Sequence, residues 1–223
     1  MSGRRAIRLL SAWLGCLAAG GVIGLSLGVG PTARPGVIDR GVAHFVAVRR
    51  VGLPGLTGFA HAVTRAGDPA AATASVALIG AGLILARRWR VGLLLALSAL
   101  GGNALANVLK LSFRRDRPEL ALRLVAATAP SFPSAHATLA GVAATLLSVV
   151  ALRSGLSPAA RATLFTAAWA WGLMVAASRV WLGVHYLSDV ATGLVLGSAW
   201  AWSAAAIELR RGPAVAKGVA TCL

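Results

Sequence analysis

The chain has 223 residues, of which 57% are hydrophobic and 13% charged. Soluble domains carry close to a quarter charged residues, so this composition excludes an ordinary soluble domain and indicates a membrane protein. The net charge of +16 comes from 22 Lys and Arg against 6 Asp and Glu. The bases gather at the ends of apolar runs, which marks membrane loops and not a nucleic-acid-binding surface.

Six stretches have the length a bilayer requires, roughly 17–25 residues each. The first, about Leu9–Gly30, follows Arg4, Arg5 and Arg8. Gly20, Gly24 and Gly28 recur in it every fourth residue, a stripe that admits a close helix neighbour. Its apolar run is longer than a signal-peptide core and no A-x-A site follows, so it reads as a span. Cys16 lies in this run and Cys222 far from it, a placement that predicts no disulfide and offers no CxxC metal pair.

Residues 31–68 are mixed. The stretch VIDRGVAHFVAVRR sets Ile38, Val42, Phe45 and Val46 on one helical face, which predicts an amphipathic helix along the interface. Asp68-Pro69 is a helix-start signal. The second span is about Pro69–Ala86 and the third about Val91–Leu111, joined by the basic turn RRWR. A polar loop, roughly Ser112–Pro133, follows. The remaining spans are about Ser134–Leu152, Ala162–Ala177 and Tyr186–Ile207; the last carries Gly193 and Gly197 in small-xxx-small spacing. The expected fold is all-α: one membrane domain over 1–223, six transmembrane helices and one interfacial helix. The short basic loops at 87–90, 153–161 and 210–217 place that side in the cytoplasm. Residues 31–68, 112–133 and 178–185 then share the outer face of the plasma membrane.

Three polar clusters fall on that face: KLSFRRDRP from Lys110, SFPSAH from Ser131, and SRVWLGVHYLSD from Ser178. Lys110, Arg117 and Arg179 are cations with few acids to pair, and guanidinium forks suit phosphate oxygens. Ser134 stands at a helix start, where a hydroxyl and free N–H groups seat an anion. His185 and Asp189 are four apart and share a helical face. A carboxylate on one imidazole nitrogen leaves the other free to attack. His136 comes from another loop and is placed to protonate a departing oxygen.

These clusters resemble the signature of the type 2 phosphatidic acid phosphatase (PAP2) superfamily. That signature is Lys-x6-Arg-Pro, then Pro-Ser-Gly-His, then Ser-Arg-x5-His-x3-Asp. Lys110 to Arg117-Pro118 and Ser178-Arg179 to His185 and Asp189 match it in full; Pro133-Ser134-Ala135-His136 has alanine for glycine. The motifs cover 110–189, and the six-span layout extends the likeness over nearly the whole chain. The resemblance implies His185 as nucleophile, Asp189 as its orienter and His136 as general acid. It implies that Lys110, Arg117, Ser134, Arg179 and the N–H of Ala135 hold phosphoryl oxygens. Alanine at 135 is harmless if its φ is negative and costs about 1 kcal/mol if positive.

The reading is therefore a metal-independent phosphatase without a cofactor. It would act on a lipid phosphate or diphosphate of the undecaprenyl diphosphate, phosphatidylglycerol phosphate or phosphatidic acid type. A phosphotransferase with the same site, a non-catalytic membrane scaffold or transporter, and a vanadate-dependent haloperoxidase are the alternatives. Natural lipid and oligomeric state stay open. His44 and His61 read as structural histidines bonded to carbonyls at helix ends. Arg114, Arg115 and Arg123 read as lipid-headgroup contacts. Asp116 and Glu119 are expected to balance nearby arginines, and Trp13, Trp89, Trp181, Trp200 and Trp202 to anchor the interface.

Overall fold

A computed structural model describes residues 3–27, 29 and 35–209. Among the described residues it is all-helical, with α1 (Gly3–Ser26), α2 (Val37–Arg50), α3 (Pro54–Ala66), α4 (Pro69–Leu85), α5 (Trp89–Phe113), α6 (Ala135–Arg153), α7 (Pro158–Trp181) and α8 (Leu187–Leu209). A short 3-10 turn at Leu120–Leu122 breaks the loop between α5 and α6. Gly28 and the basic stretch 210–217 lie outside the described residues.

Helix starts follow the local chemistry. Asp68 caps α4 by accepting the Ala71 N–H at 2.9 Å, with Pro69 in the first turn, as its sequence signal predicts. Ser134 and Ser157 cap α6 and α7 through their hydroxyls. Arg114 ends α5 in the left-handed conformation (φ 47°), its N–H on the Lys110 carbonyl. That reversal leaves Arg114 outside and turns Arg115 inward.

Four runs are long and apolar enough to cross a membrane: Pro54–Leu85, Trp89–Phe113, Ala135–Arg153 and Leu187–Ile207. The sequence reading expects six. In α1 the apolar helical run is only Ser11–Gly24. α7 has 24 residues, but Arg161, Arg179 and its Ser and Thr side chains dilute its hydropathy. Where the sequence reading expects one amphipathic helix before the second span, the chain forms two helices, α2 and α3, divided at Val51–Leu53. On α2, Val42 and Val46 pack inward, whereas Ile38 and Phe45 face out. The buried stripe runs from Asp39 through Val42 and Val46 to Arg50, a quarter-turn from the face expected.

α6 is the central helix, and its contact with α8 is made by backbone. A Cβ on Gly197 would lie 1.9 Å from the Thr138 carbonyl oxygen, and one on Gly193 2.7 Å from that of Ser134. Across the same seam a Cβ on Gly141 would stand 2.5 Å from the Leu194 carbonyl oxygen. Lipid offers no hydrophobic drive between helices, so such close approach supplies the packing energy. On the other side, Gly20 of α1 fits against Leu109 and Leu196, and Gly24 against Phe113. Trp200 is 4% exposed, fills the space over Gly101 and donates to the Ser98 carbonyl at 3.0 Å. It is a core residue and not an interface anchor, because its side chain points at α5.

Replacing Gly197 with alanine is expected to destabilise the protein by about 1–3 kcal/mol or more through overpacking against backbone. Gly82→Ala, where a Cβ meets nothing within 4 Å, leaves thermal stability in detergent unchanged or raised. Parallel melts of the two variants check this.

Candidate active site

The sharp turn after α5 and the start of α6 bring the three sequence clusters to one end of the bundle. Lys110, in the last turn of α5, is buried and donates to the carbonyls of Pro130 (2.6 Å) and Ser131 (3.3 Å). Arg117 donates to Ala129 O through Nε and to Val184 O through Nη1, both at 2.7 Å. Backbone oxygens thus aim both cations without neutralising them. Arg179, near the end of α7, donates through Nη1 to the Thr64 hydroxyl of α3 at 2.6 Å, and its buried Nε has no partner.

The loop between α7 and α8 carries the histidine. Gly183 has φ 70°, and a Cβ there would stand 1.9 Å from the Leu122 carbonyl oxygen, so only glycine fits this turn. The turn delivers His185, 3% exposed, against Asp189 in the first turn of α8. Nδ1 of His185 lies 3.3 Å from Asp189 Oδ2, which also accepts the Tyr186 N–H at 2.9 Å. With Nδ1 donating to the carboxylate, Nε2 carries the lone pair, and Arg117 Nη1 meets it at 3.2 Å. Burial outweighs the Asp189 carboxylate and holds the His185 pKa well below its ordinary range, so the ring is neutral at pH 7. Burial also lowers Arg117, to about 10, leaving it charged at neutral pH.

The Ser134 hydroxyl caps α6 by accepting the Ala137 N–H at 3.5 Å, and the Ser134 N–H donates to the Asp189 carbonyl at 3.1 Å. Ala135 is the first residue of α6, and its φ is not positive. Alanine is therefore unstrained there, and its N–H belongs to the first helical turn, which lacks intrahelical acceptors. His136, half-buried, is the second residue of the same helix. The eight expected site residues thus surround one region. Among the described residues no group of three or more His, Cys, Asp or Glu is placed to hold a metal ion.

The largest departure is Arg115. It is 3% exposed and meets no lipid headgroup. Its Nη1 donates to Asp189 Oδ1 at 2.5 Å and to Ser188 Oγ at 2.8 Å, and its Nη2 to Asp39 Oδ2 at 2.7 Å. The guanidinium also lies over the Tyr186 ring, 4.6 Å from its centre. Burial disfavours its charge, but Asp189 and Asp39 more than offset this and raise its pKa. Asp116 and Glu119 stay exposed, and neither joins the described ion pairs. Arg123 donates instead to the Pro118 carbonyl at 2.7 Å. His44 and His61 make no described hydrogen bond, to a carbonyl or otherwise. Asp39, Thr64 and Arg115 escaped the motif reading because their partners lie far away in sequence. The available signal was an aspartate on the buried stripe of α2.

Membrane-length helices, with Lys110, Arg117 and Arg179 gathered at one end of the bundle, define a multi-pass membrane protein. The PAP2 superfamily model matches residues 89–213, and the chain belongs to that superfamily. It is 35% identical to the decaprenylphosphoryl-5-phosphoribose phosphatase of Mycobacterium tuberculosis over 162 residues, 70% of this chain and 84% of that protein. Phosphatidylglycerophosphatase B of Bacillus subtilis is 32% identical over 123 residues, 55% of this chain and 60% of that one. The crystal structure of a transmembrane PAP2 type phosphatidylglycerolphosphate phosphatase from Bacillus subtilis superposes with a TM-score of 0.69. That match covers 92% of this chain and 98% of the other at 23% identity, and supports the fold.

The depressed His185 pKa has a thermodynamic consequence. Below its ordinary pKa of about 6.5 the unfolded chain takes up a proton at this ring and the folded one does not, so stability is lost as pH falls. From pH 7 to 5 the native protein is expected to lose up to about 2 kcal/mol more stability than His185→Gln. Thermal melts of both proteins at the two pH values check the sign.

Proposed function

We propose that this chain is a six-span, single-domain integral membrane phosphatase that hydrolyses lipid phosphates or diphosphates through a phosphohistidine. α1 and α7 complete the spans, and α2 with α3 lies at the interface. The short basic turns at 87–90 and 153–161 face the cytoplasm. The site then opens at the outer face of the plasma membrane, where a headgroup enters sideways from the leaflet.

One observation carries the reading: a neutral, buried His185 is oriented by Asp189 on one nitrogen and faces Arg117 with the other. Substrate phosphate draws the Arg117 fork onto its oxygens and frees the Nε2 lone pair. Nε2 attacks phosphorus, the bond from phosphorus to the leaving oxygen breaks, and His136 protonates that oxygen. Water then attacks the phosphohistidine, His136 takes its proton, the N–P bond breaks and inorganic phosphate leaves. Lys110, Arg117, Arg179, the Ser134 hydroxyl and the Ala135 N–H stabilise the phosphoryl oxygens. Phosphoryl transfer depends mainly on such positioning and charge.

The names of two relatives support a narrower substrate class. Both names describe a phosphate on a small hydroxylated unit, ribose or glycerol, carried by a lipid. A terminal phosphomonoester of that form is the favoured substrate.

The test is phosphate release in detergent with EDTA, comparing the native chain with His185→Ala. The panel holds a polyprenyl-phosphoryl ribose 5-phosphate, phosphatidylglycerol phosphate, phosphatidic acid and undecaprenyl diphosphate. EDTA-resistant release that falls roughly 10³-fold or more in the variant is expected. Release that persists in the variant overturns His185 as nucleophile. No release from any lipid overturns the phosphatase reading, and phosphate delivered to an added alcohol in place of water makes the protein a phosphotransferase.

A further inference from the structure

We infer that Asp39 and Arg115 are positioning residues of the phosphoryl-transfer centre, a relay from α2 that holds Asp189 in register with His185. The inference rests on His185 and Asp189 acting as proposed above.

Asp39 lies on α2, ahead of the residues 89–213 that the superfamily model covers. It is nonetheless 6% exposed and makes three hydrogen bonds to the site. Oδ1 accepts the Ser188 N–H at 3.0 Å, and Oδ2 accepts the Ser188 hydroxyl at 2.6 Å and Arg115 Nη2 at 2.7 Å. Ser188 is in the first turn of α8, so a carboxylate from another helix satisfies an N–H that its own helix leaves open.

Arg115 then spans the two carboxylates. Its Nη2 binds Asp39 Oδ2, and its Nη1 binds Asp189 Oδ1. Asp189 keeps Oδ2 for His185 and the Tyr186 N–H. Three hydrogen bonds thereby hold the Asp189 carboxylate, and its rotation would break a buried ion pair. A lysine presents its three donors from a single nitrogen and cannot reproduce the planar fork that spans both acids. Partners that orient a reacting group's ligand typically matter roughly 10–100-fold in activity.

The other end of α2 is tied to the His185 loop. Arg50, in its last turn, donates to the carbonyls of Leu122 (2.6 Å) and Trp181 (3.2 Å), and the Leu122 oxygen is the one that faces Gly183. α2 therefore grips the His185 loop at one end and the start of α8 at the other.

The experiment measures kcat and KM per folded molecule on the most active lipid phosphate of the panel. Asp39→Asn, Arg115→Lys, Arg115→Gln and the Asp39→Asn/Arg115→Gln double variant are compared, each checked by size exclusion and melting. In Asp39→Asn, kcat is expected to fall roughly 10–100-fold with KM within about twofold of native. Arg115→Gln falls at least as far, Arg115→Lys recovers part of the loss, and the double variant is no worse than Arg115→Gln. A native kcat in folded Asp39→Asn overturns the inference. So does a lower yield with unchanged activity per folded molecule, which marks a purely structural pair. If Asp39→Asn does not fold, Arg115→Lys decides by the same kcat-to-KM criterion. A native chain inactive on every lipid fails the phosphatase reading itself, which is a separate result.

Discussion

The site exists because two helices touch through their backbones. Gly197, Gly193 and Gly141 let α6 and α8 close until carbonyl oxygens sit where side chains would otherwise stand. Ser134 and His136 open one of these helices, and Asp189 opens the other. The Ser134 N–H on the Asp189 carbonyl ties the two starts together. In lipid such contact is favourable, because every small residue gained at the seam adds dispersion contacts that lipid tails cannot match. The anion-seeking N-terminus of α6 is then held beside the histidine delivered by the α7–α8 turn.

Charge explains how the rest is arranged. Lys110, Arg117 and Arg179 are drawn together in a half-buried space, at a cost in desolvation and mutual repulsion. Each donates to neutral oxygens, and none is described in an ion pair. Among the described residues no carboxylate lies within hydrogen-bond reach of these three cations. The carboxylates behave oppositely. Asp39 and Asp189 share Arg115, so no acid of the described ion pairs competes for the three binding cations. Burying such a triad costs desolvation, and removing one member of a buried pair typically costs 3–5 kcal/mol.

α2 has two faces with different tasks. Val37, Ile38, Phe45 and Val48 are exposed and apolar, the surface of a helix lying at a lipid boundary. Asp39, Val42, Val46 and Arg50 point to the bundle and meet the site. A helix that looks peripheral by hydropathy thus supplies carboxylate and guanidinium contacts to the centre.

Helical class, the glycine seam and the family motifs were legible in the chain. Bilayer-length apolar runs, four-residue glycine spacing and the register His185-x3-Asp189 are all local, and local spacing on a helix dictates which residues share a face. Four of the six expected spans have membrane-crossing length and hydropathy; α1 and α7 have the length but not the uninterrupted hydropathy. The rotation of α2 and the burial of Trp200 were not legible, since amphipathicity cannot tell a lipid-facing apolar stripe from a protein-facing one. Nor was Arg115, one arginine among several in RRDR. Only the left-handed turn at Arg114 decides which of them points inward. By itself the sequence determined the elements and the residues able to meet phosphate, through periodicity and motif spacing. The tertiary structure alone decided which acids Arg115 joins, because those pairings link residues 76 and 74 positions apart, and distance along the chain carries no record of them.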